Sequence, residues 1–246
     1  MGTNKFNFVP LIMIINSEPI RPSASDFGSY VYCGAKLFLD KNANLDSFRK
    51  NKINSYNITR KAFSKKIGQQ NESKCINWIM KKHKQSQNII FDGTGKDNQE
   101  FFFANIRQIN VELHCRPDLI ITRDNKIILY EFKAVSDINY LWYSGYDSNH
   151  AQIWCYSFIK DFEIDKYYLL KYFEDPFKQG TFPREIEITK DLLSDEKFIP
   201  LFQDYLNVIE TLNRSRKSLN KNYNLDLNKL NIPINQPQKC HHCIYF

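Results

Sequence analysis

The stretch Arg116 to Ala134, RPDLIITRDNKIILYEFKA, constrains the fold more than any other part of the chain. Leu119 to Thr122 and Lys126 to Phe132 are rich in β-branched and aromatic residues, which fit a pleated surface. Asp124-Asn125 between them suits a two-residue hairpin turn, because both residue types tolerate positive φ. Such a turn fixes the register: Arg123 faces Lys126, and stepping back along both strands sets Asp118 opposite Glu131. Directly opposed Cβ atoms lie about 4.5–5.5 Å apart. Strand alternation then puts Lys133 on the face of Glu131 and turns Tyr130 and Phe132 to the other side.

An ordinary hairpin carries such charges on a solvated face, with Lys133 simply paired to Glu131. The flanking residues argue against that here. Ile120 and Leu129 share the face of the acids, while Leu119, Ile121, Ile128, Tyr130 and Phe132 share the other, so both faces are expected to be covered. Two carboxylates meeting there repel, and one takes up a proton unless a cation lies between them. Lys133 is one candidate cation and a divalent metal is another. Mg²⁺ prefers hard oxygens, takes one or two protein carboxylates and leaves the rest of its shell to water and substrate phosphate. Together with an adjacent lysine that orients a water or steadies negative charge, this arrangement suits phosphodiester hydrolysis.

A chain of 246 residues, 42% hydrophobic and 15% aromatic, can bury a full core, and it is read as one domain, 1–246. Lys and Arg total 34 against 27 Asp and Glu, a net charge of +7, which favours an acidic partner such as nucleic acid. The longest apolar stretch, Phe8 to Ile15, contains Pro10 and is too short to cross a bilayer, so no membrane association is expected. With only Lys5 before it, it reads as an early buried strand rather than a signal peptide. The six cysteines mostly sit inside apolar runs, as in a reducing compartment, and a cytoplasmic location is the expectation.

Ser23 or Ser25 can cap a helix running through Asp26, Tyr30, Cys33 and Leu37. A polar insertion, Lys41 to Ser64, precedes a helix from about Lys65 to Lys84, marked by Ile67, Cys75, Ile76, Ile79 and Met80 at helical spacing. Ile89 to Asp92 and Phe101 to Leu113 read as strands leading into the hairpin, and Val135 to Asn149 as a loop rich in Asp, Ser and Tyr. A helix over His150 to Lys160 carries Gln152 and Tyr156 on one face. Tyr167 to Phe173 and Glu185 to Thr189 read as strands, and Leu192 to Leu219 as a long amphipathic helix with a basic end, Arg214 to Lys221. This order predicts an α/β fold with a central mixed sheet flanked by helices.

The series Asp118, Glu131-x-Lys133 and Gln152-x-x-x-Tyr156 resembles the PD-(D/E)xK nuclease superfamily, specifically the metal-binding Asp, E-x-K strand and Q-x-x-x-Y helix of its RecB-like branch. The resemblance implies a restriction-endonuclease-like core, here about 65–190. Upstream, Gly68-x-x-x-Glu72 is similar to the family's first-motif helix, which often carries a metal-holding His or Glu. Asn71 stands where many relatives have the His, which leaves Glu72 as the candidate, with His83 and His114 as alternatives.

Ser23-Ala24-Ser25 followed by Cys33-Gly-Ala-Lys36 resembles the N-terminal segment of RecB-like nucleases that bind an iron-sulfur cluster, and Cys240-His-His-Cys243 resembles the other half of that site. Such enzymes, among them the CRISPR-associated exonucleases and AddB-type nuclease domains, pin their two ends together with four cysteines. The corresponding clasp here pairs 20–40 with 236–246, but no fourth cysteine follows Cys243. A 4Fe-4S cluster on Cys33, Cys240 and Cys243, a zinc site completed by His241 or His242, and a clasp without metal all remain open. Cys75, Cys115 and Cys155 are expected to be buried hydrophobes.

By resemblance, Asp118 and Glu131 bind Mg²⁺ or Mn²⁺ with the Phe132 carbonyl and Glu72, Lys133 positions the attacking water, and Gln152 and Tyr156 orient Lys133 or a phosphate. The expected activity is a DNA exonuclease acting on single-stranded ends, with a helicase or CRISPR adaptation proteins as partners. Tyr140, Trp142, Tyr143 and Tyr146 are candidates to stack on bases. The rival expectation is a non-catalytic nucleic-acid-binding or scaffold protein on the same fold. A further alternative is a module that binds tRNA or serves a capsid through the basic C-terminal helix.

Overall fold

The computed structural model describes residues 19–34, 37, 41, 71–83, 87–94, 100–106, 109–135, 137–175 and 180–218. Along the chain these form α1 (Ala24–Tyr32), α2 (71–82), β1 (Gln87–Asp92), β2 (Phe102–Ile106), β3 (Val111–Cys115), β4 (Leu119–Arg123) and β5 (Lys126–Ala134). A 3-10 turn (Ile138–Trp142), α3 (Asp147–Tyr156), β6 (Lys166–Asp175), β7 (Gly180–Ile188), a second 3-10 turn (Lys190–Leu193) and α4 (Asp195–Ser218) follow.

The hairpin forms in the expected register. Asp124 and Asn125 both take left-handed backbone, φ 53° and 60°, as a primed two-residue turn requires, and Leu119 to Arg123 pair with Tyr130 to Lys126. Around it lies a five-stranded sheet in the order β1-β4-β5-β6-β7. Only β5 and β6 run parallel, and α3 lies in the connection that parallel pairing demands. The architecture is the expected α/β arrangement of a mixed sheet between helices.

Both faces of the sheet are covered, as the hydrophobic pattern requires. Ile120, Leu129 and Leu169 pack with α1, α3 and α4, whereas Leu119, Ile121, Ile128, Tyr130 and Phe132 pack against Cys75, Ile76 and Ile79 of α2. The N-terminal segment is seated on the C-terminal helix. The Phe27 ring lies 5.0 Å from Phe202 and 5.6 Å from Tyr205, and Asn213 bonds both the N–H and the carbonyl of Ile20 at 2.7 and 3.0 Å. Ser23 caps α1 by accepting from Asp26 N–H at 3.2 Å.

Several boundaries differ from the sequence expectations. α1 stops at Tyr32, because Cys33 is extended (φ −166°), and Leu37 N–H donates to the Cys33 carbonyl beyond it at 3.2 Å. Phe101 to Leu113 does not lead into the main sheet. A turn with Asn110 at φ 54° folds β2 and β3 onto each other as a separate two-stranded sheet. The loop Val135 to Asn149 contains the first 3-10 turn, capped by Asp137, and α3 begins at Asp147. α3 ends at Tyr156, where the Ser157 hydroxyl donates to the Trp154 carbonyl at 2.7 Å. β7 starts at Gly180 rather than Glu185, and Leu192 lies in the second 3-10 turn rather than in α4. No described helix is long and apolar enough to cross a membrane. The Phe8 to Ile15 strand, most of the Lys41 to Ser64 insertion, Gly68, and the 236–246 half of the clasp with Cys240 and Cys243 lie outside the described residues.

Candidate active site

Five residues chosen from the sequence meet where β5 leaves the ladder of β4. Lys133 Nζ donates to Glu131 Oε1 and, at 3.3 Å, to Gln152 Oε1. Gln152 Nε2 donates to the Tyr156 hydroxyl at 2.7 Å, and that hydroxyl lies 3.1 Å from Glu131 Oε2. These bonds close a ring in which each donor has an acceptor, which fixes the amide orientation of Gln152. Glu131 is 2% exposed, and the ring holds it in place.

Asp118 sits one residue before β4, and its Oδ2 accepts the Phe132 N–H at 2.5 Å. The N–H and C=O of one strand residue leave on the same side, so the Phe132 carbonyl also faces the Asp118 edge. Two further contacts hold the segment that carries Asp118. The Tyr156 hydroxyl lies 3.1 Å from the Arg116 carbonyl, and Gly93 N–H donates to the Asp118 carbonyl at 2.9 Å. A Cβ on Gly93 would stand 2.2 Å from the Pro117 carbonyl oxygen, so only glycine permits this approach. Gly28 does the same for the helix. A Cβ there would lie 2.8 Å from the Ser148 carbonyl and 3.4 Å from Gln152 Cβ, so α1 can pack against the turn of α3 that carries Gln152.

The electrostatics are unbalanced. Burial, then the Glu131 charge, push the Asp118 carboxyl well above the usual range, and Lys133 and the Phe132 N–H only partly oppose them. Glu72 on α2 is also pushed up, by burial and then by the charges of Glu131 and Asp92, against Lys133 and Arg116. Burial works against the Lys133 charge, but Glu131 and Asp118 outweigh it and raise its pKa. Asp118, Glu131, Glu72 and Asp92 thus share a neighbourhood with the cations Lys133 and Arg116. Asp92 enters because β1 pairs antiparallel with β4, setting it beside Leu119, and its carboxylate accepts from the N–H and hydroxyl of Thr94 at 2.9 and 2.6 Å. The exposed Arg116 donates to the Gly93 carbonyl at 2.8 Å. Asp92, Gly93 and Arg116 are not among the residues the sequence singles out, since only the pairing of β1 with β4 brings them to the site.

Among the described residues no three His, Cys, Asp or Glu side chains converge as a self-sufficient metal site. The donor set nevertheless fits Mg²⁺ or Mn²⁺: the buried Glu131 carboxylate, the half-buried Asp118 carboxylate and a backbone carbonyl are hard oxygens, and such ions fill their remaining positions with water and substrate. Asp118, Glu131 and the Phe132 carbonyl would hold the ion, with Glu72 at the rim. His83 and His114 are not alternatives. His83 bonds Glu185 of β7, and His114 stacks on Phe101 with ring centroids 4.3 Å apart. Cys33 is a half-buried free thiol, and Cys75, Cys115 and Cys155 are buried, with burial pushing the Cys75 thiol up to about 12.

No family model matches this chain, and no curated protein matches it. Among solved structures it is similar to the alkaline exonuclease LHK-Exo from Laribacter hongkongensis, with a TM-score of 0.44 and 14% identity over 81% of this chain and 94% of that one. The same exonuclease in complex with dAMP gives a TM-score of 0.45 and 13% identity over the same shares. SSO0001 gives 0.42 and 11% over 91% of this chain and 82% of that one.

Proposed function

We propose that this chain is a Mg²⁺- or Mn²⁺-dependent nuclease that hydrolyses DNA phosphodiester bonds. The observation that carries the reading is the pairing of Asp118 and Glu131, two carboxylates held by Tyr156 and backbone beside Lys133, whose charge only partly offsets theirs at Asp118. A bound divalent ion supplies the missing charge, polarises a phosphoryl oxygen and acidifies a water. Lys133 orients the attacking water and stabilises charge developing on the phosphate, while Gln152 accepts a second Lys133 proton and so sets where the ammonium points. Tyr156 holds Glu131 from behind the site.

The motif resemblance supports the finer reading: a RecB-like enzyme trimming single-stranded ends, working beside a helicase or CRISPR adaptation proteins. It also supports a 4Fe-4S cluster on Cys33, Cys240 and Cys243, which iron and sulfide analysis of anaerobically purified protein tests.

The deciding experiment is cleavage of end-labelled single- and double-stranded DNA with Mg²⁺, Mn²⁺ or EDTA, beside Lys133→Ala. Cleavage should require metal and fall by about 10²–10³-fold in the variant, the usual loss of one transition-state donor. DNA that is bound but never cut with either metal sinks the nuclease reading, and a non-catalytic binding protein takes its place.

A further inference from the structure

We propose that Trp142 is a stacking platform for an unpaired base, so that single-stranded nucleic acid is held by its bases beside the candidate site. The loop carrying it is exposed and aromatic: Trp142 is 70% exposed, Tyr140 48%, Tyr143 50% and Tyr146 43%. Aromatic clusters usually pack against themselves or the core, but Trp142 is open to solvent and has a cation behind it. The Arg184 guanidinium of β7 lies 3.4 Å from the indole centroid and fixes the ring plane. Among the described residues Arg184 Nε is buried without a hydrogen-bond partner, so the contact with the ring stands out among its interactions.

The loop is also tied down at an unusual expense. Lys171 of β6, 2% exposed, donates to the Tyr140 and Tyr143 carbonyls at 3.0 and 2.5 Å and lies 5.1 Å from the Tyr143 ring centroid. Among the described residues no carboxylate pairs with it, and burial alone pushes its pKa down. Burying an ammonium without an acid is unfavourable, and the two carbonyls and the Tyr143 ring are the partners that offset it and tie the loop to β6. Lys133, Lys171 and Arg184 are successive cross-strand partners on one face of the sheet. Two strand spacings of about 4.7–4.9 Å put Arg184 roughly 10 Å from Lys133. That is about three stacked nucleotide steps at 3.4 Å. Phe182, 39% exposed, shares the face of Arg184 one pleat farther along and extends the apolar surface.

The inference rests on the nuclease reading only for where the scissile phosphate lies. Its test is binding by the full chain in EDTA, measured by anisotropy and intrinsic tryptophan quenching, with a short oligothymidylate, an abasic oligomer of equal length and a blunt duplex. Trp142→Ala should weaken oligothymidylate binding by about 5- to 150-fold, the range for one stacked base, and remove the quench. It should leave the abasic oligomer unaffected, and Trp142→Phe should recover most of the affinity. Equal oligothymidylate affinity in Trp142→Ala, an equal loss on the abasic oligomer, or no binding of any oligomer by the wild type overturns the proposal. Trp142-dependent binding without cleavage under any metal keeps this inference and removes the nuclease reading; cleavage with unaltered Trp142→Ala binding does the reverse.

Discussion

Two buried polar networks lie on opposite faces of the same sheet, and they are built on opposite electrostatic plans. On the α2 face, Glu185 of β7 accepts from Lys82 at 2.5 Å, His83 at 3.0 Å and Tyr130 at 2.9 Å, and Tyr130 in turn accepts from Arg123 at 3.2 Å. Burial alone pushes Glu185 up, but these donors outweigh it and leave the carboxyl below its usual value. One acid has several donors there. On the α3 face, Asp118 and Glu131 share Lys133, and Asp118 is pushed well above the carboxylate range. The first network matches its acid with donors and joins α2 to β7; the second sets two acids against Lys133, and the proposed metal ion would supply the further charge. Removing a carboxylate should therefore have opposite consequences on the two faces.

The largest expected effect is at Asp118. Asp118→Asn should reduce metal-dependent cleavage by at least about 10²-fold. In EDTA the same change should raise folding stability by about 0.5–2 kcal/mol, the common gain when a strained functional group is neutralised. Mg²⁺ or Mn²⁺ should raise the melting temperature of the wild type and leave Asp118→Asn unmoved, because a ligand stabilises only the state that binds it. Lys133→Ala should destabilise the protein in EDTA, since it leaves the buried Glu131 without its cation. Denaturant titrations of both variants check the signs. A destabilised Asp118→Asn breaks the comparison.

Glu185→Gln should lose about 1–3 kcal/mol, because its amide would turn an N–H₂ toward donors that the carboxylate satisfies. Cleavage at temperatures where the variant is folded should be retained, since Glu185 lies on the other face. A melting curve run beside the DNA assay separates the two outcomes. Gly93→Ala should cost a similar 1–3 kcal/mol of overpacking. Unlike Glu185→Gln it should also lower cleavage in the folded protein, because the backbone it displaces carries Asp118.

The two networks also differ in how readable they were. The hairpin was legible because its information is local: two turn residues that accept positive φ fix the pairing, and strand and helix periodicity then choose which side chains share a face. Gln152 and Tyr156 followed from helical spacing. Asp92 and Gly93 were not legible, because their position depends on β1 pairing with β4 through an irregularity between Ile89 and Phe91. The Glu185 network joins residues about a hundred positions apart, and nothing local marks His83 and Glu185 as partners. Nothing in the strand Tyr167 to Phe173 marks Lys171 as buried, because what covers it is the distant turn that offers the Tyr140 and Tyr143 carbonyls. Local chemistry was visible in the chain; pairings set by β-sheet order were not.

The smallest effect sharpens the comparison at the acid end. A carboxyl whose folded pKa lies below its ordinary 4.5 binds fewer protons in the folded state than in the unfolded one as the pH drops through that range. Glu185 therefore contributes stability that is fully present above 4.5 and is lost as pH falls through the lower, folded value. Glu185→Gln should flatten this part of the stability profile and leave neutral pH with only the constant loss described above. Urea midpoints measured at steps from neutral pH to below the carboxylate range read this directly. A variant whose acid limb matches the wild type would mean that Lys82, His83 and Tyr130 hold the face together without help from the Glu185 charge, and that the α2 network is not the balanced counterpart of the site.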